Sequence, residues 1–172
     1  MPVLLILAVA AGFIYLAYQE SQQDQSGGPD VLTDLGSAIE DIGYQTGLIM
    51  PSNQVTLFAQ AIAAAEGFGQ QGAIPTSAHN PGDLTMGDFG DTGNYVVSRG
   101  GEKIIVFPDD ASGWNALYRK LENIVNGGSH VYNLNITIAQ MGALWAGSQF
   151  WAKNVAAALG VSVETPLSNV LS

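Results

Sequence analysis

Proton transfer by carboxylates is the chemistry that this sequence is best equipped to perform. The chain has no cysteine, and its two histidines, His79 and His130, are far apart and lack the spacing typical of zinc ligands. It also lacks the motifs of serine nucleophiles, phosphate-binding loops and dinucleotide sites. We therefore expect neither a metal nor a cofactor. Glutamate and aspartate side chains remain as the groups able to give and take protons.

Glu66 is the carboxylate whose surroundings favour catalysis most. It ends an alanine-rich apolar segment and is followed by Gly67, Phe68 and Gly69, so its side chain can point into a cleft beside an aromatic ring. Burial among apolar groups disfavours the charged form, which can keep a carboxylic acid protonated near neutral pH for donation to a glycosidic oxygen. Taken alone, the same pattern also fits a surface glutamate at the end of a helix.

The elements that must position Glu66 predict a mainly helical α+β fold. Ser52 caps a helix that ends at Glu66, and the glycine- and proline-rich stretch 68–91 predicts a long irregular loop, of the kind that is usually functional. Short strands over 95–98 and 103–107 predict a β-hairpin with glycines in its turn. Apolar residues at helical spacing predict three further helices: one that Asp110 or Ser112 caps and that carries Trp114 into the core, one that begins at Thr137, and one over 148–159.

The first 51 residues differ in composition from this domain. Residues 3–18 are almost entirely apolar, and over 1–18 we expect one transmembrane helix that anchors the protein in a lipid bilayer. A cleaved signal peptide is the first alternative, although no basic residue precedes the apolar run. A buried core helix is the second, although the run has no polar face. Residues 19–51 are expected to form an acidic, flexible tether, and residues 52–172 the folded domain.

A short amphipathic helix is predicted inside the tether. Apolar residues between positions 31 and 44 are spaced as on one face of a helix. This face would pack on the folded domain or lie against lipid. The alternative is a binding site for a partner protein of a virion or a cell envelope.

The net charge of −10 argues against nucleic acid as a partner. Fifteen Asp and Glu residues stand against five Lys and Arg residues, so binding to phosphates by release of counterions has no support. All of the excess negative charge lies before Arg99. A protein this acidic gains no long-range attraction to an anionic polymer, and it acts best on such a target when a tether keeps it close.

Three runs of sequence carry a family resemblance: AIAAAEGFGQQGAIPTSAHNPGDL from residue 61, DASGWNALYRKL from residue 110 and GVSVETPLSNV from residue 160. They resemble the lytic-transglycosylase-like domains of phage and bacterial cell-wall enzymes, in the lysozyme-like superfamily, and the likeness extends over 52–172. In that family a helix ends in the catalytic glutamate and is followed by an aromatic turn, an N-P-G loop and a hairpin. Glu66, Phe68, 80–82 and 95–107 follow in the same order here.

The resemblance implies a lysozyme-like fold and cleavage of the β-1,4 bond between N-acetylmuramic acid and N-acetylglucosamine in peptidoglycan glycan strands. Glu66 would protonate the leaving oxygen and then take the proton of the sugar's own 6-hydroxyl group, which closes a 1,6-anhydro ring. Substrate contacts are expected from amide, carboxylate and aromatic side chains: Phe68, Asn80, Asp83, Tyr118 and Trp145. For the two polar residues the alternative is hydrogen bonding within their own loop. For the tyrosine and the tryptophan it is a place in the core.

Two other functions are compatible with the same residues. The domain could be a non-catalytic peptidoglycan-binding or structural virion protein, because Gly67 replaces the family's serine, the G-L-M-Q loop is absent, and Leu144 replaces the tyrosine of A-Y-N-A-G. It could also be a lysozyme with a second carboxylate, for which Asp83, Asp88 and Asp91 are the candidates.

We expect the protein to act locally from a membrane, either the internal membrane of a phage particle or a bacterial inner membrane facing the cell wall.

Overall fold

The computed structural model describes residues 51–171 of the chain, which belong to one compact unit that begins at Pro51. The expected anchor over 1–18, the amphipathic helix over 31–44 and all but the last residue of the tether lie outside the described residues. Between residues 51 and 171, no helix combines the length and the apolar character needed to cross a membrane.

Helices dominate this part of the chain, and one small antiparallel hairpin accompanies them, so the predicted mainly helical α+β class is confirmed. The elements are α1 (Asn53–Glu66), α2 (Ile74–Ser77), β1 (Tyr95–Val97), β2 (Lys103–Ile105), α3 (Asp110–Val125), α4 (Ile138–Trp145), α5 (Gln149–Leu159) and α6 (Ser168–Leu171). The four-residue helices α2 and α6 were not predicted, because a single turn shows no apolar periodicity. Helix α2 interrupts the stretch that the sequence predicts to be irregular.

Side-chain caps set the starts of the four longer helices. Three of these caps lie where the sequence predicts them: Ser52, Thr137 and Ser148. The fourth prediction was wrong by one residue or more, because Asp109, and neither Asp110 nor Ser112, caps α3. The Asp109 carboxylate accepts a hydrogen bond from the backbone N–H of Ser112 at 2.8 Å. Asp110 is then free to pair with a residue of the preceding loop.

Helix α1 lies at the centre of the packing. It contacts α3, α5 and α6, and α4 packs against α5. The interior is filled by large apolar side chains that are almost completely buried: Phe58, Ile62, Leu117, Leu121, Ile138, Met141, Val155 and Leu167. Each of these contributes about 2 kcal/mol of transfer free energy. A Cβ atom added at Gly142 of α4 would lie only 2.7 Å from the Cβ of Ala152, so the close packing of α4 on α5 requires a glycine there.

The hairpin is attached to the core through β2 alone. Tyr95 pairs with Ile105 and Val97 with Lys103, and a bridge from Thr85 continues the ladder on the other side of β2. Ile105 is buried, whereas every residue of β1 is exposed. The strands are shorter than predicted, since β1 ends before Ser98 and β2 before Val106.

Candidate active site

The end of α1 places Glu66 at the surface of the core. Gly67 has a φ of +81°, in the left-handed region that glycine adopts without strain. Its N–H bonds to the carbonyl of Ala64 at 3.2 Å, and the N–H of Phe68 bonds to the carbonyl of Ala63 at 2.9 Å. This pair of bonds is a Schellman motif, which ends the helix abruptly. Glu66 is therefore the last helical residue, and its carboxyl group lies where the chain leaves the helix.

A tryptophan holds the carboxyl group of Glu66. The indole Nε1–H of Trp151 donates a hydrogen bond to Oε1 of Glu66 at 2.7 Å. Trp151 lies on α5, is 4% exposed, and stacks on Trp145 with ring centroids 5.9 Å apart and planes at 22°. The indole N–H of Trp145 in turn donates to the backbone carbonyl of Gly82 at 3.2 Å. The two rings thus connect Glu66 to the N-P-G loop.

No pattern in the sequence indicates that Trp151 belongs to the site of Glu66. Its position on the apolar face of α5, four residues before Val155, predicts only a core residue. Eighty-five positions separate Trp151 from Glu66, and no local pattern indicates that the two side chains meet.

The surroundings of Glu66 favour its neutral form. Burial raises the pKa of Glu66 from an ordinary 4.5 to about 7, and the negative charges of Asp83 and Glu102 act in the same direction. The indole groups of Trp151 and Trp145 lower the pKa of Glu66 in part, because they favour the carboxylate. Near neutral pH both forms of Glu66 are therefore populated, as a group that first donates and then accepts a proton requires.

Asp83 is the second carboxylate of this region. Its backbone has a φ of +49°, which is strained for a residue other than glycine and costs about 1 kcal/mol. One carboxylate oxygen of Asp83, Oδ1, is buried and has no hydrogen-bond partner among the described residues. Burial raises the pKa of Asp83 to about 6, with a further contribution from the charge of Glu102. Asp83 is therefore mostly ionised when Glu66 is half protonated.

Asn80 holds the N-P-G loop in place. It is fully buried, and its amide group donates to the carbonyl oxygens of Leu84 and Ile105, both at 2.9 Å. Its Oδ1 accepts a hydrogen bond from the N–H of Leu84 at 2.8 Å. All of these partners belong to the protein. The alternative role, hydrogen bonding within the loop, is the one that the structure displays, and it joins the loop to β2.

His79 and Gly113 hold the same loop against α3. Nδ1 of His79 lies 2.6 Å from Oδ1 of Asp110, at the first turn of that helix. A Cβ atom added at Gly113 would overlap the backbone carbonyl of His79, so only glycine permits this approach. His79 therefore braces the loop.

A row of aromatic rings extends from the turn after Glu66 along α3. Phe68 meets Trp114 edge to face at 5.6 Å, and Trp114 stacks on Tyr118 with centroids 5.8 Å apart and planes at 27°. All three residues are only partly buried. Trp114 packs against the core as predicted, but part of it stays accessible. Phe68 and Tyr118 thus lie on one partly exposed aromatic surface beside the acid.

Trp145 is partly buried and contacts side chains of three other parts of the fold. Besides its stack with Trp151, its ring contacts Tyr132 at 5.8 Å, and Nζ of Lys120 lies 4.3 Å from its centroid. Lys120 also pairs with Asp88 at 2.7 Å. These contacts fit the alternative reading of Trp145, a structural residue, better than a platform for a sugar ring.

The other two aspartates of the loop have structural partners. Asp88 accepts a hydrogen bond from the N–H of Thr85 at 3.0 Å in addition to its pair with Lys120. Asp91 accepts hydrogen bonds from two backbone N–H groups, those of Gly93 and Gly87, which lower its pKa. Of the three aspartates considered for a second carboxylate, Asp83 is the one whose charge acts on Glu66.

Within residues 51–171, no three His, Asp or Glu side chains are grouped so that they could hold a metal ion.

Comparison of the chain with protein-family models, with curated proteins and with solved structures finds no match.

Proposed function

We propose that residues 52–172 form a lysozyme-like domain and act as a peptidoglycan lytic transglycosylase with Glu66 as its catalytic acid and base. The observation that carries this proposal is the state of Glu66: a helix-terminal carboxyl group, held by an indole N–H and with its pKa raised to about 7 by burial. The order of the glutamate, the aromatic turn, the N-P-G loop and the hairpin, in which the chain resembles the family, supports the same conclusion.

Protonated Glu66 donates its proton to the glycosidic oxygen between N-acetylmuramic acid and N-acetylglucosamine, and the bond from that oxygen to C1 breaks. The positive charge that develops at C1 is stabilised by the acetamido group of the substrate and by the negative charge of Asp83. Glu66, now ionised, takes the proton of the 6-hydroxyl group as its oxygen bonds to C1. The product carries a 1,6-anhydro ring, and Glu66 has regained its proton.

The contacts expected for the glycan strand follow the exposed part of the site. The partly buried rings of Phe68 and Tyr118 offer apolar surface against which sugar rings can pack. Asp83 contributes a carboxylate beside the acid. Asn80 and Trp145 act on the substrate only through the loop and the rings that they hold in place.

The domain acts close to a membrane in this proposal, because residues 3–18 have the composition of an anchor. A chain of net charge −10 is not attracted to an anionic cell wall, and tethering compensates by raising the local concentration of the enzyme. The membrane is either the internal membrane of a phage particle, where the activity would serve genome entry, or a bacterial inner membrane. Deletion of residues 3–18 should release the protein from membranes, and persistent association would contradict the anchor.

Digestion of purified peptidoglycan tests the reaction itself. The products of a transglycosylase are lighter by one water than those of a lysozyme, which mass spectrometry of the released muropeptides resolves. A Glu66→Gln variant should release none, and Glu164→Gln, which removes an exposed carboxylate elsewhere, serves as the matched control. Full activity of Glu66→Gln would refute the assignment. Binding to peptidoglycan without any product would favour a non-catalytic binding or structural protein.

A second candidate function is a lysozyme in which Asp83 is the second carboxylate. The observation that favours it is the buried, unpartnered Oδ1 of Asp83, whose charge acts on Glu66. Such an oxygen could bond to C1 or orient a water molecule, whereas a transglycosylase needs only the acid. Products that contain the added water, together with loss of activity in Asp83→Asn, would establish this alternative.

A further inference from the structure

The hydrogen bond from Trp151 to Glu66 has a direction that chemistry fixes. The indole nitrogen is a donor only, and it never accepts a proton. It lies 2.7 Å from Oε1 of Glu66, so a lone pair of this oxygen is committed to the indole N–H. The carbonyl oxygen of a carboxylic acid is a better acceptor than its hydroxyl oxygen, so a proton that joins the carboxyl group favours the other oxygen, Oε2.

We propose that Trp151 is a positioning residue that reserves Oε2 of Glu66 as the atom that gives and takes the catalytic proton. This inference rests on the proposed function, in which Glu66 is the acid and the base. The proton passes from Oε2 to the leaving glycosidic oxygen as the bond from that oxygen to C1 breaks. Oε2 then takes the proton of the 6-hydroxyl group as its oxygen bonds to C1. Oε1 stays bonded to the indole through both steps.

The packing of the Trp151 ring holds its indole N–H in one position. The ring is 4% exposed and stacks on Trp145, which is itself held by a hydrogen bond to the carbonyl of Gly82. A Cβ atom at Gly142 would lie 3.1 Å from the Trp151 ring, so the α4 backbone is shaped to accommodate it. The indole N–H of Trp151 thus points at Glu66 at the end of α1, and helices α4 and α5 together with the N-P-G loop hold it there.

Two charged groups act on the carboxyl group of Glu66, and a third lies over the neighbouring Trp145 ring. Asp83 on the loop and Glu102 in the hairpin turn are both negative and both favour the protonated form of Glu66. Lys120 on α3 lies over the Trp145 ring, with its charge paired to Asp88. The indole N–H of Trp151 opposes the two carboxylates, because it stabilises the ionised form of Glu66. Its removal should therefore raise the pKa of Glu66.

Carboxyl NMR titration of the full chain, labelled with ¹³C at the glutamate side chains, tests this prediction. The signal of Glu66 is assigned as the one that Glu66→Gln removes. Trp151→Phe keeps an aromatic ring but deletes the N–H, and it should raise the pKa of Glu66 by about one unit, a tenfold change in the protonation equilibrium. Trp114→Phe, the matched control at the Phe68 contact, should leave it at the wild-type value. An unchanged or lowered pKa in Trp151→Phe would overturn the proposal.

A second measurement needs no change at Trp151 and so does not depend on the stability of a variant. The indole N–H resonance of Trp151 in the wild-type chain should shift with pH at the same midpoint as Glu66, and this shift should vanish in Glu66→Gln. If the chemical shift of this resonance does not change as Glu66 ionises, the proposed hydrogen bond is refuted. Both titrations are independent of turnover. They can therefore support the hydrogen bond from Trp151 to Glu66 even if no peptidoglycan is cleaved. In that case only the proposed function fails.

Kinetics then separate positioning from packing. With peptidoglycan as substrate, Trp151→Phe should lower kcat about tenfold and leave KM nearly unchanged, because the acid loses its orientation while the binding surface stays. The pH above which activity declines should move upward with the pKa of Glu66. An unaltered kcat together with an unaltered pH profile would show that Trp151 serves packing alone.

Discussion

Replacement of Glu66 by glutamine should stabilise the protein at high pH and not at low pH. Burial and two neighbouring carboxylates raise the pKa of Glu66 from 4.5 to about 7, so the folded state holds this proton more tightly than the unfolded state does. Below pH 4.5 both states are protonated and the group has no net effect. As the pH rises from 4.5 to 7, the unfolded chain ionises first, and the wild-type protein loses stability.

The size of the loss follows from the same two values. At 1.36 kcal/mol for each pKa unit, the difference between 4.5 and about 7 corresponds to about 3 kcal/mol. Glutamine cannot ionise, and its oxygen can still accept the N–H of Trp151. We therefore expect the difference in unfolding free energy, Glu66→Gln minus wild type, to be about 3 kcal/mol larger at pH 8 than at pH 4, so that the variant is the more stable protein at pH 8.

Urea unfolding of the full chain, followed by tryptophan fluorescence, measures this difference. The three tryptophans all lie in the folded domain, at positions 114, 145 and 151, so the signal reports on that part of the chain. Glu164→Gln removes an exposed carboxylate by the same substitution and should show no comparable dependence on pH. If the two variants respond equally to pH, the surroundings of Glu66 do not favour its protonated form, and the reasoning fails.

Three further predictions concern the same site. Activity on peptidoglycan should decline about tenfold for each pH unit above about 7, because Glu66 must be protonated to donate; a profile that is flat to pH 9 would exclude this acid. Gly67→Ala should cost about 1 kcal/mol of unfolding free energy, since φ there is +81°, and a Tm equal to wild type would contradict the strain. Asn80→Ala should cost about 3 kcal/mol in chemical denaturation, because it removes three buried hydrogen bonds, although the Leu84 carbonyl keeps the N–H of Ile105 as a partner. A loss below 1 kcal/mol would show that these groups find other partners.

Local signals were enough to predict the helices that carry the site. Serine and threonine caps and a terminal glycine mark element ends within a few residues of sequence, which is why Ser52, Thr137, Ser148 and Gly67 could be recognised. The α3 cap was misplaced because three neighbouring side chains, Asp109, Asp110 and Ser112, can all act as caps. Only the folded loop, in which Asp110 pairs with His79, determines the choice.

The contacts that tune the site could not be predicted, because they join distant parts of the chain. Asn80 lies in a loop, where a polar residue is usually accessible, whereas one of its partners, Ile105, lies twenty-five residues further on. Trp151 has the pattern of a core residue, and only the meeting of α1 and α5 brings its N–H to Glu66. Residue types together with the family resemblance therefore singled out Glu66, and tertiary packing determines its surroundings.

The Asn80 side chain also determines which parts of the site can move together. Its amide group bonds on one side to the loop that bears Asp83 and on the other to β2. The loop and the hairpin cannot separate without breaking buried hydrogen bonds, so they move as one rigid piece. The same loop is held against α3 by His79 and Gly113 and bonds to Trp145 of α4, so the hairpin, the loop and these helices form one connected framework. A change at Asn80 should therefore displace Asp83 and Glu102 together and, through their charges, alter the pKa of Glu66.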